Sequence, residues 1–398
     1  MELVAPGGNL SKLKTAILFG ADAVYVGAPH LSLRAGAEMD FAQLKEAVEY
    51  CRQKKRKIYL AANIFLHEKD LPAAKKTLSK LLPLNFDAVL ASAPGIVSMI
   101  KKLKPKQRLH ISVQANTLNS ESIKFWAQAG AKRLILAREL SFGEIKNIRK
   151  NCPKIELEVF VHGALCLSYS GRCYLSGYML QRDANYGKCA HPCRYKYYLT
   201  EEKDKNRKLI IEEDAHGAYL MNTNDLCLAQ EIGKLMAIGI DAVKIEGRMK
   251  SELYAATVTR TYRKLIDHKG KISKLDLEEL DKISHRPYSK GFFSDNSHDI
   301  SFNQSKYLRQ SRFAGMVKNY FPSSKELEIE IKDYLITGDQ LEILDPLKDK
   351  IIKLIAKDIF CKGKKMDKAG ASRTVLIDCP TRISPGSIIR TKKERSEK

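Results

Sequence analysis

The sequence predicts an α/β fold: a (β/α)8 barrel of the TIM type with a cysteine-rich insertion between strands 7 and 8, then a small β-barrel-like domain. Three observations predict it. First, a phrase recurs. Gly20-Ala-Asp-Ala-Val-Tyr-Val-Gly27 is echoed by Asn85-Phe-Asp-Ala-Val-Leu-Ala-Ser92, by Gly130-Ala-Lys-Arg-Leu-Ile-Leu-Ala137 and by Gly239-Ile-Asp-Ala-Val-Lys-Ile-Glu246. Each copy follows a helical pattern, with Gly or Asn where a helix end wants positive φ, then a polar turn and a short apolar strand. Continuous apolar strands are what a parallel sheet buries. Second, eight strand-sized runs alternate with helical patterns, the count of a closed barrel. Third, from about residue 312 the texture changes to short strands with Gly and Asp turns, which reads as a separate β module.

Taken in order, strands are expected at 2–5, 23–26, 57–61, 88–91, 109–113, 133–137, 156–161 and 242–245. Helices are expected between them at 10–19, 41–54, 72–82, 120–129 and 141–150. The alternative is an open doubly wound sheet. It wants a G-x-G-x-x-G fingerprint after the first strand, and Pro6-Gly7-Gly8-Asn9 is not one. About 80 residues separate the seventh and eighth strands. They hold β-like runs at 195–199, 208–212 and 218–221, then a helix from 222 to 237 with Cys227 in its first turn. Helices follow at 252–267 and 274–283, then a turn-rich loop at 286–293. The C-terminal strands are expected at 313–317, 326–331, 340–343, 351–359 and 372–376, with a polar, disordered tail from 391. The chain thus divides into a barrel domain, 1–310, with its insertion at about 163–222, and a small β domain with a basic tail, 311–398.

Lys and Arg number 69 against 46 Asp and Glu, a net charge of +23 over 398 residues. The excess is spread over the chain, with local runs at 101–106 and 362–365. It suggests a polyanion partner, RNA or DNA, although a soluble basic surface carries the same charge. The first six residues have neither a basic nor an apolar leader region, so no signal peptide is expected. No apolar run approaches membrane-spanning length. Nine cysteines without a secretion signal fit a reducing, cytoplasmic setting.

Cys166, Cys173, Cys189 and Cys193 fall close together, and Cys227 follows. The strand at 156–161 ends near Gly163, so Cys166 leaves from a strand end and the next three follow on a polar, Gly-containing loop. Soft thiolates in a reducing compartment favour zinc or an iron–sulfur cluster over disulfides. The spacings C-x6-C, C-x15-C and C-x3-C match neither a zinc ribbon nor a ferredoxin run, so the fold must gather the ligands. Ordinary buried thiols are the alternative, and a polar loop suits them poorly. An insertion at the C-terminal end of a barrel strand lies over the face where barrel enzymes keep their active sites.

Residues just past the strands give the rest of a candidate site: Asn63, Gln114, Asn116, Arg138, Glu139, His162, Glu246 and Arg248. Arg138 and Arg248 can fork onto a carboxylate or phosphate. His162 or Glu246 can move a proton. Each residue alone reads equally well as a helix cap or a structural ion pair. There is no H-E-x-x-H, no G-x-S-x-G and no P-loop, which excludes the corresponding hydrolases and nucleotidases. Five grouped thiols look like ligands rather than one activated nucleophile.

Glu158-Val-Phe-Val-His-Gly-Ala-Leu-Cys166, Ser170-Gly-Arg-Cys-Tyr-Leu-Ser176 and Cys189-Ala-His-Pro-Cys-Arg194 resemble the signature of the U-32 peptidase family, also called collagenase-like. Glu2-Leu-Val-Ala-Pro-Gly-Gly-Asn9, Ser112-Val-Gln-Ala-Asn116, Leu136-Ala-Arg-Glu-Leu140, Met221-Asn-Thr-Asn-Asp-Leu226 and Lys244-Ile-Glu-Gly-Arg-Met-Lys250 support it. The C-terminal module resembles that of the family's tRNA-hydroxylating branch. The resemblance implies conversion of the wobble uridine of tRNA to 5-hydroxyuridine, with prephenate, a small dicarboxylate, as co-substrate. It implies an iron–sulfur cluster, 4Fe-4S, on Cys166, Cys173, Cys189 and Cys193, with Cys227 as an alternate ligand. Sister branches hydroxylate a cytidine of 23S rRNA or serve ubiquinone synthesis. A peptidase, as the family name says, and a non-catalytic RNA-binding factor are the competing readings. The expected partner is the anticodon arm of tRNA, with no membrane. The oligomeric state is not legible.

Overall fold

The computed structural model describes residues 1–103, 105–166, 168–194, 213–214, 217–218, 223–294 and 307–392. Eight parallel strands close into a barrel: β1 (Glu2–Pro6), β2 (Ala23–Gly27), β3 (Lys57–Ala62), β4 (Ala88–Ala91), β5 (Arg108–Ile111), β6 (Ala131–Ile135), β7 (Glu156–Ala164) and β8 (Ala242–Ile245). Each pairs with the next, and β8 pairs with both β7 and β1. The helices between them are α1 (Leu10–Leu18), α2 (Phe41–Gln53), α3 (Leu71–Leu81), α4 (Pro94–Lys102), α5 (Ser120–Gln128) and α6 (Phe142–Asn151). Of these, α4 was not among the expected helices. Side-chain caps start four of the others at the expected places, and α3 starts without one, with Pro72 in its first turn. Asn9 and Asn119 accept from the backbone three residues on, and Asp40 and Ser141 form capping boxes with Gln43 and Glu144.

The barrel interior carries charge. Arg133, 3% exposed, reaches Glu2 at 2.6 Å, Glu156 at 2.8 Å and Glu158 at 3.1 Å. Lys244 Nζ donates to Glu158 Oε1 at 2.9 Å. Burial alone would raise the Glu2 carboxyl, but Arg133 and Lys57 hold it down at about 2. Alternating charges therefore climb from Glu2 through Arg133 and Glu158 to Lys244, which forms part of the floor of the mouth.

The insertion corrects one expectation. Cys227 is not in a helix: Asp225–Cys227 is a strand antiparallel to β7, with Cys227 opposite His162. Arg286 holds it there, donating from Nε to Asp225 Oδ1 at 2.9 Å and from its backbone N–H to Oδ2 at 3.2 Å, with both side chains buried. The loop expected at 286–293 supplies a further strand, Tyr288–Ser289, parallel to it. The β-like runs at 195–199 and 208–212 lie outside the described residues. Of the run at 218–221 only Ala218 is described, in Gly217–Ala218, which pairs with Glu213–Asp214. Helices α7 (Leu175–Leu180) and α8 (Ile232–Ala237) precede β8, and α9 (Glu252–Asp267) and α10 (Lys274–Asp281) follow it.

The C-terminal module is an antiparallel eight-stranded sheet curled around its own core, which includes Val317, Leu327, Ile329, Ile343 and Ile377. The strand expected at 351–359 is two, Ile352–Ile355 and Ile359–Cys361. The tail expected to be disordered from 391 begins inside a strand, Ile388–Lys392. Arg390, fully buried on that strand, is the reason. It pairs with Glu279 of α10 and with Glu342, each at 2.7 Å, and so ties the module to the barrel. Residues 393–398 lie outside the described residues. Among the described residues no helix is long and apolar enough to cross a membrane.

Candidate active site at the barrel mouth

The C-terminal ends of the strands surround a cavity of about 60 Å³. That is room for a few waters, so anything larger enters only if the covering loop moves. Glu246 lies in it among arginines. Arg138 Nη2 lies 3.5 Å from its Oε2, Arg34 Nε lies 4.0 Å from its Oε1, and the Tyr25 hydroxyl donates at 3.5 Å. Burial would raise this carboxyl, but Arg34, Arg138 and Arg248 overcome it and hold Glu246 below the usual value. Glu246 is thus a fixed anion and a poor proton acceptor.

Arg248 is 4% exposed and donates from Nη1 to Ser32 Oγ at 2.7 Å. Gly27 leaves it room, since a Cβ there would stand 2.7 Å from Nη1. Arg138 lies over the Phe160 ring and donates to the Ala164 carbonyl at 2.8 Å. Three guanidiniums face one carboxylate, which leaves an excess of positive charge. Among the described residues, the Nε atoms of Arg138 and Arg248, Gln114 Oε1 and Ser168 Oγ are buried without a hydrogen-bond partner, and all four residues line the cavity. Buried donors without partners are costly, and an anionic ligand would satisfy them.

The other expected residues divide. Asn63 lines the cavity, and its Oδ1 accepts from the Leu33 backbone at 3.4 Å. Asn116 and Glu139 hold the cysteine loop. Glu139 accepts from the Ser170 backbone N–H at 2.5 Å and from its hydroxyl at 3.3 Å, and Ser170 Oγ meets Asn116 Oδ1 at 2.8 Å. The Gln114 carbonyl accepts from Arg172 at 2.8 Å. His162 does not face the mouth. The register slips between Lys244, opposite Phe160, and Ile245, opposite His162. A one-residue slip sends a side chain to the other face of a sheet. His162 therefore packs, 1% exposed, among Tyr254, Tyr262 and Tyr288, and burial pushes its imidazole down to about 3. It cannot act as a proton carrier there at neutral pH.

Of the four loop cysteines, one reaches the mouth. Cys166 is exposed and lines the cavity, while Cys173, Cys189 and Cys193 are half-exposed. Cys173 Sγ accepts from the Leu175 N–H, and Cys189 Sγ from the His191 N–H, both at 3.4 Å. Cys227 stands apart and lines a different cavity with Asp281 and Tyr288. Among the described residues no three Cys, His, Asp or Glu side chains converge as a metal site. The donor chemistry fits an iron–sulfur cluster, with four soft thiols on one loop and N–H groups on two sulfurs. Ligation requires the loop to close around the group.

Residues 8–303 match Peptidase family U32, and residues 309–390 match the Peptidase family U32 C-terminal domain. The chain belongs to family U32. It is 34% identical to the tRNA hydroxylation protein P of Haemophilus influenzae, over 96% of this chain and 94% of that one. It is 36% identical to tRNA hydroxylation protein P1 of Bacillus subtilis, over 87% and 83%. It is 28% identical to the 23S rRNA 5-hydroxycytidine synthase of Escherichia coli, over 92% of this chain and 55% of that one.

Sequence reasoning missed two residues at this U32 mouth and one beside it. Arg34 comes from the loop after β2, well beyond the strand end where candidates were sought. Lys244 lies inside a strand and reads as one polar break in an apolar run. Glu38 sits beside Arg248, and burial lifts its carboxyl to about 7 despite that guanidinium. Only the placement of a strand or loop around the mouth reveals such residues.

Proposed function

We propose that this U32 protein is an RNA-modifying enzyme that converts the wobble uridine of tRNA to 5-hydroxyuridine with prephenate as co-substrate. The observation that carries the reading is the arginine-lined mouth with unpartnered buried donors, under a thiol-bearing loop, on a chain similar end to end to tRNA hydroxylation proteins. Two carboxylates suit Arg138 and Arg248, whose planar forks accept such groups bidentately. The excess of basic residues binds the phosphate backbone. A wobble base already lies in a single-stranded loop, which lowers the cost of drawing it into the mouth.

Cys166, Cys173, Cys189 and Cys193 are the proposed ligands of a 4Fe-4S cluster. When bound, the cluster supplies redox poise or fixes the loop. The chain's own residues do the rest: the arginines bind and orient the co-substrate, Glu246 keeps them charged and apart, and Asn116 and Glu139 hold the cover that excludes water. Hydroxylation of a different RNA is the second reading, favoured by the similarity to the 23S rRNA enzyme.

The test is mass analysis of nucleosides from a strain lacking the gene. Loss of 5-hydroxyuridine derivatives from tRNA is the expected result. Unchanged tRNA with loss of a hydroxylated rRNA nucleoside would favour the second reading. Serine at Cys166 or Cys173 should lower the iron content and the visible absorption of anaerobically purified protein, and retention of both would remove the cluster assignment.

A further inference from the structure

Beside the mouth, and sharing Arg34 and Glu246 with it, a second cavity encloses about 560 Å³. That is within the usual range for a ligand site and far larger than the mouth itself. One wall is the barrel: the turn after β8, with exposed Met249 and with Lys250, and the start of α9 at Tyr254. The other wall is the segment leading into the C-terminal module, with Tyr307 and Arg309, and the module itself at Phe313 and Lys332. His191, from the cysteine loop, reaches it as well. Neither domain forms this cleft alone.

Its chemistry is that of a single-stranded nucleic-acid path. Arg309 is exposed, and Lys250 lies over the rings of Tyr254 and Tyr307 at 5.4 and 4.9 Å. Tyr307 is 45% exposed, which leaves ring area for a base. Arg34, Lys250, Arg309 and Lys332 outnumber Glu246 and Asp333 around the cavity. Cations along a groove with aromatic rings between them are what a sequence-tolerant strand site needs.

We propose that this interdomain cleft holds the RNA strand next to the target nucleotide, with a base on Tyr307 and phosphates on Arg309 and Lys332. The inference rests on the RNA-modifying reading and goes beyond it by assigning the C-terminal module a role: together with the segment leading into it, the module supplies one wall of the strand's path. The modified base turns into the mouth past Arg34, while its neighbour stays in the cleft.

The experiment measures binding of a tRNA anticodon stem-loop as a function of salt, for the full-length protein and for Tyr307→Ala, Arg309→Gln and Lys332→Gln. Lys132→Gln is the control, since Lys132 is exposed on β6 at the barrel face opposite the mouth. Tyr307→Ala should weaken binding roughly 5- to 150-fold with the salt slope unchanged. Each charge variant should reduce the log–log salt slope by about 0.7, the value for one single-strand phosphate contact. Unfolding midpoints matching the wild type establish that each variant is folded. Arg309 and Lys332 are separate tests, so one misfolded variant does not remove the answer. Wild-type binding that all three cleft variants share would overturn the cleft and leave the RNA reading standing. Absence of salt-dependent RNA binding by the wild type would overturn both.

Discussion

At the scale of single residues, the mouth depends on charge that has been taken out of water. Arg248 keeps one guanidinium nitrogen on Ser32 and leaves Nε without a partner, in a space that Gly27 keeps open. Lysine carries the charge but cannot reproduce the fork. Arg248→Lys should therefore lose about 1.5–3 kcal/mol of affinity for the proposed co-substrate, roughly 10- to 150-fold, in a titration with prephenate. RNA affinity should stay near wild type, because it is summed over many surface cations. Glu38 sets the pH dependence. Its carboxyl is raised from 4.5 to about 7, so below pH 7 it is neutral and Arg248 faces one anion fewer, Glu246 remaining. Anion affinity should fall as pH rises through 7, and Glu38→Gln should abolish that step. The stability sign agrees. A carboxyl whose folded value is raised contributes stability at pH below 4.5 that is lost as pH climbs through 7. Isothermal titration at pH 6 and pH 8 measures the binding effect directly.

At the scale of elements, the cysteine loop is held down by a few groups. Ser170 sits at a left-handed φ of 47°, a conformation that persists only where its surroundings enforce it. Glu139 and Asn116 enforce it. Glu139→Ala removes a charged hydrogen bond to the Ser170 N–H, a loss of about 1.5–3 kcal/mol to local closure. Amide exchange at Ser170 should quicken roughly 10- to 150-fold, while amides of the barrel strands stay as they were. Equal protection at Ser170 in both proteins would mean the loop is fixed elsewhere. This division also shows what was legible in the sequence. The eight barrel strands and their capped helices were, because period and turn chemistry are local. Asn116, Glu139 and Arg138 were legible as residues at strand ends, but their roles were not. One accepts from a loop far along the chain, and another pairs with Glu246, 108 positions away. His162 misled for a different reason: a one-residue slip in β7 against β8 turns it outward, and no alternation pattern records a slip. Cys227 misled because its strand is held by Asp225 and Arg286, 61 positions apart.

At the scale of the whole molecule, the two domains share one buried ionic joint. Arg390 of the C-terminal module is fully buried against Glu279 and Glu342, and Lys282 closes the group at 2.7 Å from Glu279 and 3.3 Å from Glu342. Leu344 and Ile388 of the module belong to the barrel's apolar core, so the joint is dry on one side. Removing Arg390 takes its charged hydrogen bonds from Glu279 and Glu342, which stay partly exposed and paired with Lys282. Arg390→Ala should cost about 1.5–3 kcal/mol. Calorimetry should then show the module melting apart from the barrel. Replacing the whole group together, as Arg390→Met with Glu279→Leu, Glu342→Leu and Lys282→Met, should recover most of the loss, because a well-packed apolar substitute is often neutral. The same pair of variants separates the two cavities. The mouth is built by the barrel and its loop, so Arg390→Ala should still bind a dicarboxylate. The cleft needs both walls, so the anticodon stem-loop should bind more weakly to Arg390→Ala and regain affinity in the fourfold variant. If RNA affinity ignores the joint while calorimetry shows it broken, the C-terminal wall takes no part in holding the strand.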